Sequence, residues 1–263
     1  MTSLRPRVSF NKSGICNACQ NAKVYRNINW LNQFKKLKRI ANQIKKNTKN
    51  QKYNCIVPVG GGKDSSYVAW KVKHELGLKP LCVFCEPPLF TKIGKKNIEN
   101  FKKSGFDLIT LKFSNNFKKF DRLMFQKKGL PQHSWLTSIT VFPIKMAVKY
   151  NCKYIFEGEE GESLYGGSNK NFLKQKVVVS NNIKNYIENN DVRKFYSGKI
   201  LKNYKNLFLT KKEFLLGKKI FKLYWSNFEY WDESKHFDIA VKKCGLNFPK
   251  EKQSNSINKK SHI

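Results

Sequence analysis

At 263 residues the chain can bury the core of one large domain, or of one domain with an appendage, and its 40% hydrophobic and 14% aromatic content excludes a disordered polymer. No apolar run approaches the roughly 20 residues that span a bilayer, and no apolar signal core follows the first residues, so a cytoplasmic protein without a membrane partner is expected. The formal charge of +34, from 52 Lys+Arg against 18 Asp+Glu, suits phosphorylated partners or nucleic acid, although the excess is mostly Lys spread along the whole length, as a general compositional bias leaves it.

Residues 1–27 are polar and irregular and carry Cys16-Asn-Ala-Cys19 just after Gly14. Seven cysteines, an odd number, argue against a disulfide framework. Cys16 and Cys19 have the spacing of half a zinc knuckle, but a structural zinc site needs four ligands and no second well-placed pair is evident. From about residue 28 to 46, Trp30, Leu31, Phe34, Leu37, Ile40, Ala41 and Ile44 recur at helical spacing. An apolar run at 55–59 then leads into three glycines and a predicted helix over 65–76, closed by Gly77.

A second strand is predicted at 80–85. Its alternation sends Cys82 and Cys85 to opposite faces and makes a shared metal improbable. A helix follows near 92–104, a strand at 107–113, a helix at 117–126, a helix at 135–150 with Pro143 inside it, and a short strand at 153–156. Strands alternating with helices imply an α/β fold with a parallel sheet covered on both faces. After Gly167 the rhythm is lost, with a last strand-like run at 176–179. The expected organisation is a knuckle-like segment and helix over 1–50, an α/β domain over 51–170, and a mainly helical extension over 171–263.

The chemistry concentrates where Val57-Pro58-Val59 runs into Gly60-Gly61-Gly62-Lys63-Asp64-Ser65-Ser66. Glycines allow positive φ and bring backbone N–H groups close to a ligand, and the helix N-terminus adds free donors and the positive end of its dipole. Lys63 adds charge, Asp64 can hold Mg²⁺, and the Ser65 and Ser66 hydroxyls can bond phosphate oxygens. The spacing is not that of a Walker A loop. The second feature is Glu157-Gly158-Glu159-Glu160-Gly161-Glu162, acidic in a strongly basic chain. Its carboxylates could bind Mg²⁺ or orient an amine nucleophile and take up its proton. Both glycine-rich segments follow strands, so one cleft at the carboxyl end of the sheet can hold them together.

The first loop resembles the Ser-Gly-Gly-x-Asp-Ser loop of the PP-loop ATP pyrophosphatases, which cleave ATP to AMP and pyrophosphate while adenylating a substrate. Gly60 stands where that family usually has Ser. Within the superfamily the chain resembles the N-acetyl sugar amidotransferases of O-antigen and pseudaminic- or legionaminic-type lipopolysaccharide and surface-sugar biosynthesis. The resemblance lies in Arg5-Pro6-Arg7-Val8-Ser9-Phe10 leading into Cys16 and Cys19, in the loop, and in Thr91-Lys92-Ile93-Gly94-Lys95-Lys96-Asn97. It continues in Gly105-Phe106-Asp107 and in Gly158-Glu159-Glu160-Gly161-Glu162 with Tyr165-Gly166-Gly167. It weakens toward Tyr230-Trp231-Asp232 and Cys244-Gly245-Leu246, and Leu164 stands where an acidic residue is common. Longer members extend beyond both ends of this sequence.

This resemblance implies a Rossmann-like sheet of the adenine nucleotide alpha hydrolase-like, PP-loop type. It implies ATP and Mg²⁺, an N-acetyl sugar substrate, free or nucleotide-activated, and a separate glutaminase subunit that supplies ammonia. Gly60, Gly61, Gly62, Ser65 and Ser66 would hold pyrophosphate, with Asp64 and Lys63 at the reacting phosphates and Asp64 on Mg²⁺. The backbone at Val83 and Phe84 would meet adenine. Glu159 and Glu162 would serve the metal or the amination, and Thr91, Lys92, Asn97, Tyr165 and Gly166 would lie near the sugar or nucleotide. Cys16 and Cys19 would supply half of a Zn²⁺ site. A tRNA-modifying PP-loop enzyme, which adenylates a base carbonyl, is the alternative favoured by the charge, and a non-catalytic scaffold is a third reading.

Overall fold

Short, near-continuous apolar runs build a mostly parallel sheet buried on both faces. The computed structural model describes residues 8–158, 173–179 and 191–248. The strands are β1 (Cys55–Pro58), β2 (Pro80–Cys85), β3 (Leu108–Leu111), β4 (Tyr154–Glu157), β5 (Val177–Val178) and β6 (Phe221–Tyr224). They lie in the order β3-β2-β1-β4-β6-β5, with β1, β2, β3, β4 and β6 parallel and β5 antiparallel at the edge. The fold is α/β, and the order reverses between β1 and β4, which opens a crevice at their carboxyl ends.

Alternation sorts the side chains between two cores. Cys55, Val57, Cys82, Phe84, Phe156 and Leu223 face one side. They meet there α2 (Trp30–Asn47), α3 (Lys63–His74), α4 (Lys92–Lys103) and α8 (Glu233–Cys244) through residues such as Ile44, Val68, Phe101 and Ala240. Ile56, Leu81, Val83, Cys85 and Ile155 face the other side, where α6 (His133–Lys149) and α7 (Lys211–Gly217) cover them through Val141, Ile144 and Phe214. A third cluster, Phe117, Phe120 and Met124 of α5 (Asn115–Lys128) with Val192, Tyr204 and Leu207, extends that side. Cys82 and Cys85 do lie on opposite faces, as the alternation requires.

The N-terminal α1 (Asn17–Arg26) is fixed at its start by Cys16, whose Sγ accepts a hydrogen bond from Cys19 N–H at 3.4 Å. Pro143 is carried within α6 without ending it; having no N–H, it leaves the Ile139 carbonyl without the helical donor that position would supply. The loss of strand rhythm read after Gly167 conceals β6, which pairs with β4 inside the sheet. Among the described residues no helix is long and apolar enough to cross a membrane.

Candidate active site at the carboxyl ends of β1, β2 and β4

The chain leaves β1 at Pro58, keeps one further ladder bond from Val59 N–H to the Val83 carbonyl at 2.9 Å, and turns through the glycines. Gly61 has φ +78°, a left-handed conformation that glycine adopts freely, and a Cβ there would meet Ile98 Cδ1 at 3.1 Å. Gly60 N–H donates to Ser65 Oγ at 3.1 Å, and the Ser66 hydroxyl donates to the Gly62 carbonyl at 2.8 Å. These bonds tie the loop to the helix that follows it. Gly62 is the N-cap of α3 and supplies no side-chain cap. By contrast Asn29, Thr91, Ser114 and Asp232 cap α2, α4, α5 and α8 with their side chains. The first-turn N–H groups of α3, at the positive end of its dipole, are thus left for an anion.

Charge at the loop is arranged around Asp64. Its Oδ2 accepts from Lys63 Nζ at 3.0 Å and its Oδ1 lies 2.7 Å from Nδ1 of His236, a residue of α8. Burial alone raises the Asp64 carboxyl, but the hydrogen bonds from His236 and Lys63 outweigh it and hold it below the ordinary carboxylate range. Lys63 itself is buried and also faces Glu233 at 3.5 Å. Burial opposes its charge, yet Asp64 and Glu233 keep its ammonium more basic than an ordinary lysine. In this state the Lys63 charge therefore sits on the two carboxylates. A Mg²⁺ ion is commonly held by one or two carboxylates together with substrate phosphates. The half-exposed Asp64 carboxylate beside the uncapped helix fits that use.

Beside the loop a cavity of about 370 Å³ opens on the opposite face of the sheet, walled by Val59, Gly60, Val83, Cys85, Trp135 and Pro143. Its walls are mainly apolar, with the ion pair Lys222–Glu157 on one side. Trp135 is locked by its indole N–H, which donates to the Cys85 carbonyl at 3.1 Å. An aromatic wall, apolar sides and a few polar groups suit a flat heteroaromatic ring. Ile139, whose carbonyl Pro143 deprives of its helical donor, is among the residues that line this wall.

The structure thus brings Gly60, Gly61, Gly62, Lys63, Asp64, Ser65, Ser66 and Val83 together. Phe84, expected there through its backbone, sends its side chain to the other face, where it packs on Phe90 with ring centroids 5.4 Å apart. Thr91 caps α4, accepting from Gly94 N–H at 3.0 Å, and Lys92 is exposed next to it. Asn97 is buried and spends its amide on the Asn247 and Gly61 backbones, so it shapes the loop from below. Glu159, Glu162, Tyr165 and Gly166 lie outside the described residues. Cys16 and Cys19 start α1, and among the described residues no three His, Cys, Asp or Glu side chains converge as a metal-binding group. Sequence reasoning missed His236, Trp231 and Lys222. The faint likeness at Tyr230-Trp231-Asp232 was the available signal for Trp231; nothing in the sequence pointed to the other two.

No family model matches the chain, and no curated protein matches it. Among solved structures the chain is similar to the NH3-dependent NAD synthetase from Campylobacter jejuni in complex with the nitrate ion. The identity is 16%, with 73% of this chain and 92% of that chain covered and a TM-score of 0.37. It is also similar to the U34-tRNA thiolase NcsA from Methanococcus maripaludis with its 4Fe-4S cluster, at 14% identity over 84% of this chain and 68% of that chain, TM-score 0.37. Both likenesses are distant, and the chemistry of the site rests on its own residues.

Proposed function

We propose that the protein is an ATP pyrophosphatase of the PP-loop type that adenylates an amide or lactam-like carbonyl oxygen and passes the carbon to a nitrogen nucleophile. The observation that carries this reading is the uncapped start of α3 behind Gly60-Gly61-Gly62, with Asp64 at its rim and a ring-sized cavity beside it. In this reading the Gly61 and Gly62 N–H groups, the first-turn N–H groups of α3 and the Ser65 hydroxyl bind the β- and γ-phosphates, while Ser66, buried with its hydroxyl on the Gly62 carbonyl, braces the loop. The cavity between Val83 and Trp135 takes the adenine. Asp64, with substrate phosphates, would hold Mg²⁺, which when bound spreads the charge that builds on the departing pyrophosphate.

The acceptor in this proposal is an N-acetyl sugar. An amide carbonyl is a poor electrophile toward ammonia because its oxygen would have to leave as hydroxide. Attack of the acetamido oxygen on the α-phosphorus forms a C–O–P bond and breaks the bond to pyrophosphate. Ammonia then adds to the same carbon, AMP leaves with the oxygen, and an acetamidino group remains after loss of a proton. The resemblance of the 91–97 and 158–167 segments to the sugar amidotransferases supports this acceptor, and ammonia from a glutaminase partner belongs to the same proposal.

The net charge of +34 favours a second reading, in which the adenylated carbonyl is that of a tRNA base. One assay separates the two: Mg-ATP, an ammonium salt, and either a panel of nucleotide-activated acetamido sugars or bulk tRNA, with AMP quantified. AMP that depends on a sugar supports the amidotransferase; AMP that depends only on tRNA overturns it.

A further inference from the structure

We infer that His236, delivered by the C-terminal helix α8, is the positioning residue that aims the Asp64 carboxylate at the mouth of the glycine loop. This rests on the reading of the loop as an ATP site and adds a residue of the C-terminal region to it. His236 is only 1% exposed, so it lies behind Asp64 and has no surface of its own with which to touch a substrate. Its Nδ1 is 2.7 Å from Asp64 Oδ1. A carboxylate oxygen only accepts, so Nδ1 carries the proton and donates.

The imidazole is held so that this bond has a fixed direction. The Tyr67 ring lies 4.1 Å from it at 32°, and the Trp231 ring stands 4.3 Å away at 80°. Tyr67 is pinned in turn, since its hydroxyl donates to Glu229 Oε2 at 2.8 Å, the oxygen that also accepts from the Trp225 indole at 2.6 Å. At the start of α8, Asp232 caps the helix by accepting from Ser234 and Lys235 N–H. Lys63 balances the charge on the second oxygen of Asp64, but a long ammonium side chain sets no angle. The rigid ring does. The same C-terminal stretch also reaches the far side of the crevice: Trp231 Cη2 lies 3.1 Å from where a Cβ on Gly158 would stand, which leaves room there for glycine. One short segment, 231–236, therefore abuts the ends of both β1 and β4.

A ring present for packing alone needs no aimed nitrogen, and this difference is testable. In His236→Asn the amide N–H replaces Nδ1–H; in His236→Gln it falls nearer the Nε2 position; in His236→Phe the ring is kept and the donor lost. Thermal melting first establishes that each variant folds, and calorimetric titration with Mg-ATP then reads the loop. A charge-assisted hydrogen bond is worth about a tenfold change or more in an equilibrium constant. His236→Phe and His236→Gln are therefore expected to bind Mg-ATP about tenfold more weakly and to need more Mg²⁺, while His236→Asn recovers to within about threefold of wild type. Equal affinity for wild type and His236→Phe, or no difference between Asn and Gln, overturns the inference. Nitrogen-15 NMR of the histidines gives a readout without nucleotide: an Nδ1-protonated His236 whose signal shifts in Asp64→Ala is expected, and an Nε2-protonated ring contradicts the pair. If NMR finds the pair but wild type binds no Mg-ATP, the reading of the loop fails and the positioning role falls with it, for a reason that the NMR result makes distinct.

Discussion

Asn97 and Asn247, 150 residues apart, hold one another by reciprocal hydrogen bonds: Asn247 N–H donates to Asn97 Oδ1 at 2.8 Å and Asn97 Nδ2 donates to the Asn247 carbonyl at 3.0 Å. The same Nδ2 reaches the Gly61 carbonyl at 3.5 Å. The glycine loop is thus braced by a residue of α4 that also anchors the chain leaving α8. Asn97→Ala leaves buried backbone groups without partners and is expected to lower stability by about 1–3 kcal/mol. Urea denaturation checks this, and an unchanged midpoint would show that the brace does not matter.

Gly61 sits at φ +78° with Ile98 Cδ1 3.1 Å from the site of a Cβ. Gly61→Ala is expected to cost about 1–2 kcal/mol through the strained backbone and to weaken Mg-ATP binding. Gly60 differs. Nothing lies within 4 Å of a Cβ placed there, and its φ is not positive. Gly60→Ser is therefore expected to fold as wild type and to bind pyrophosphate more tightly, by adding the hydroxyl that stands there in the PP-loop sequences this loop resembles. Calorimetry with both variants compares the two directly; a destabilised Gly60→Ser would contradict the open geometry.

The seven cysteines divide sharply. Burial pushes the Cys85, Cys152 and Cys244 thiols up to about 12 and raises Cys55 and Cys82 as well. At Cys16 hydrogen bonds from Cys19 lower the thiol, but its side chain is buried; Cys19 is exposed, and the hydrogen bond to Cys16 raises its own thiol. Iodoacetamide near pH 8 is expected to label the native protein first at Cys19, the one exposed thiol among the described cysteines, and to spare the five core cysteines, with all seven labelled in urea. Peptide mapping of the alkylated protein decides it; early labelling of Cys85 or Cys244 would show that the core opens.

Glu213 joins two elements. Its Oε2 accepts from Lys145 Nζ at 2.7 Å and from Thr210 N–H at 2.8 Å in a capping box. Burial raises its carboxyl, but Lys145 and Thr210 outweigh that and hold it below the ordinary range. A depressed folded pKa means that the contribution is complete above the unfolded value of about 4.3 and disappears as pH falls through the folded value. Glu213→Gln is expected to lose about 1–2 kcal/mol at pH 7, with the gap to wild type narrowing as pH drops below the carboxylate range. Denaturation at a series of pH values tests the sign.

The sequence made β1 to β4 legible because they are short apolar runs set between helical patterns, with Gly77 and Gly105 closing the first two helices between them. β6 escaped notice for a physical reason: Phe-Lys-Leu-Tyr puts a charge in the middle of four residues, and only the buried bond from Lys222 to Glu157 makes that charge acceptable inside a sheet. The glycine loop was legible because its residue types and spacing are themselves the chemistry. His236 was not. A single histidine in an amphipathic helix gives no hint of a carboxylate 172 residues earlier in the chain. Thr91 is a residue type that caps helices, and its hydroxyl serves the helix that it begins.

The most direct test of the ATP site is calorimetric titration of Mg-ATP into wild type and Asp64→Ala, paired with thermal melts of both. Saturable binding by wild type is expected, together with a loss of about tenfold or more in an Asp64→Ala protein that still melts cooperatively. Equal affinity in the two proteins, or no binding by wild type, would contradict the assignment of the loop at 60–66.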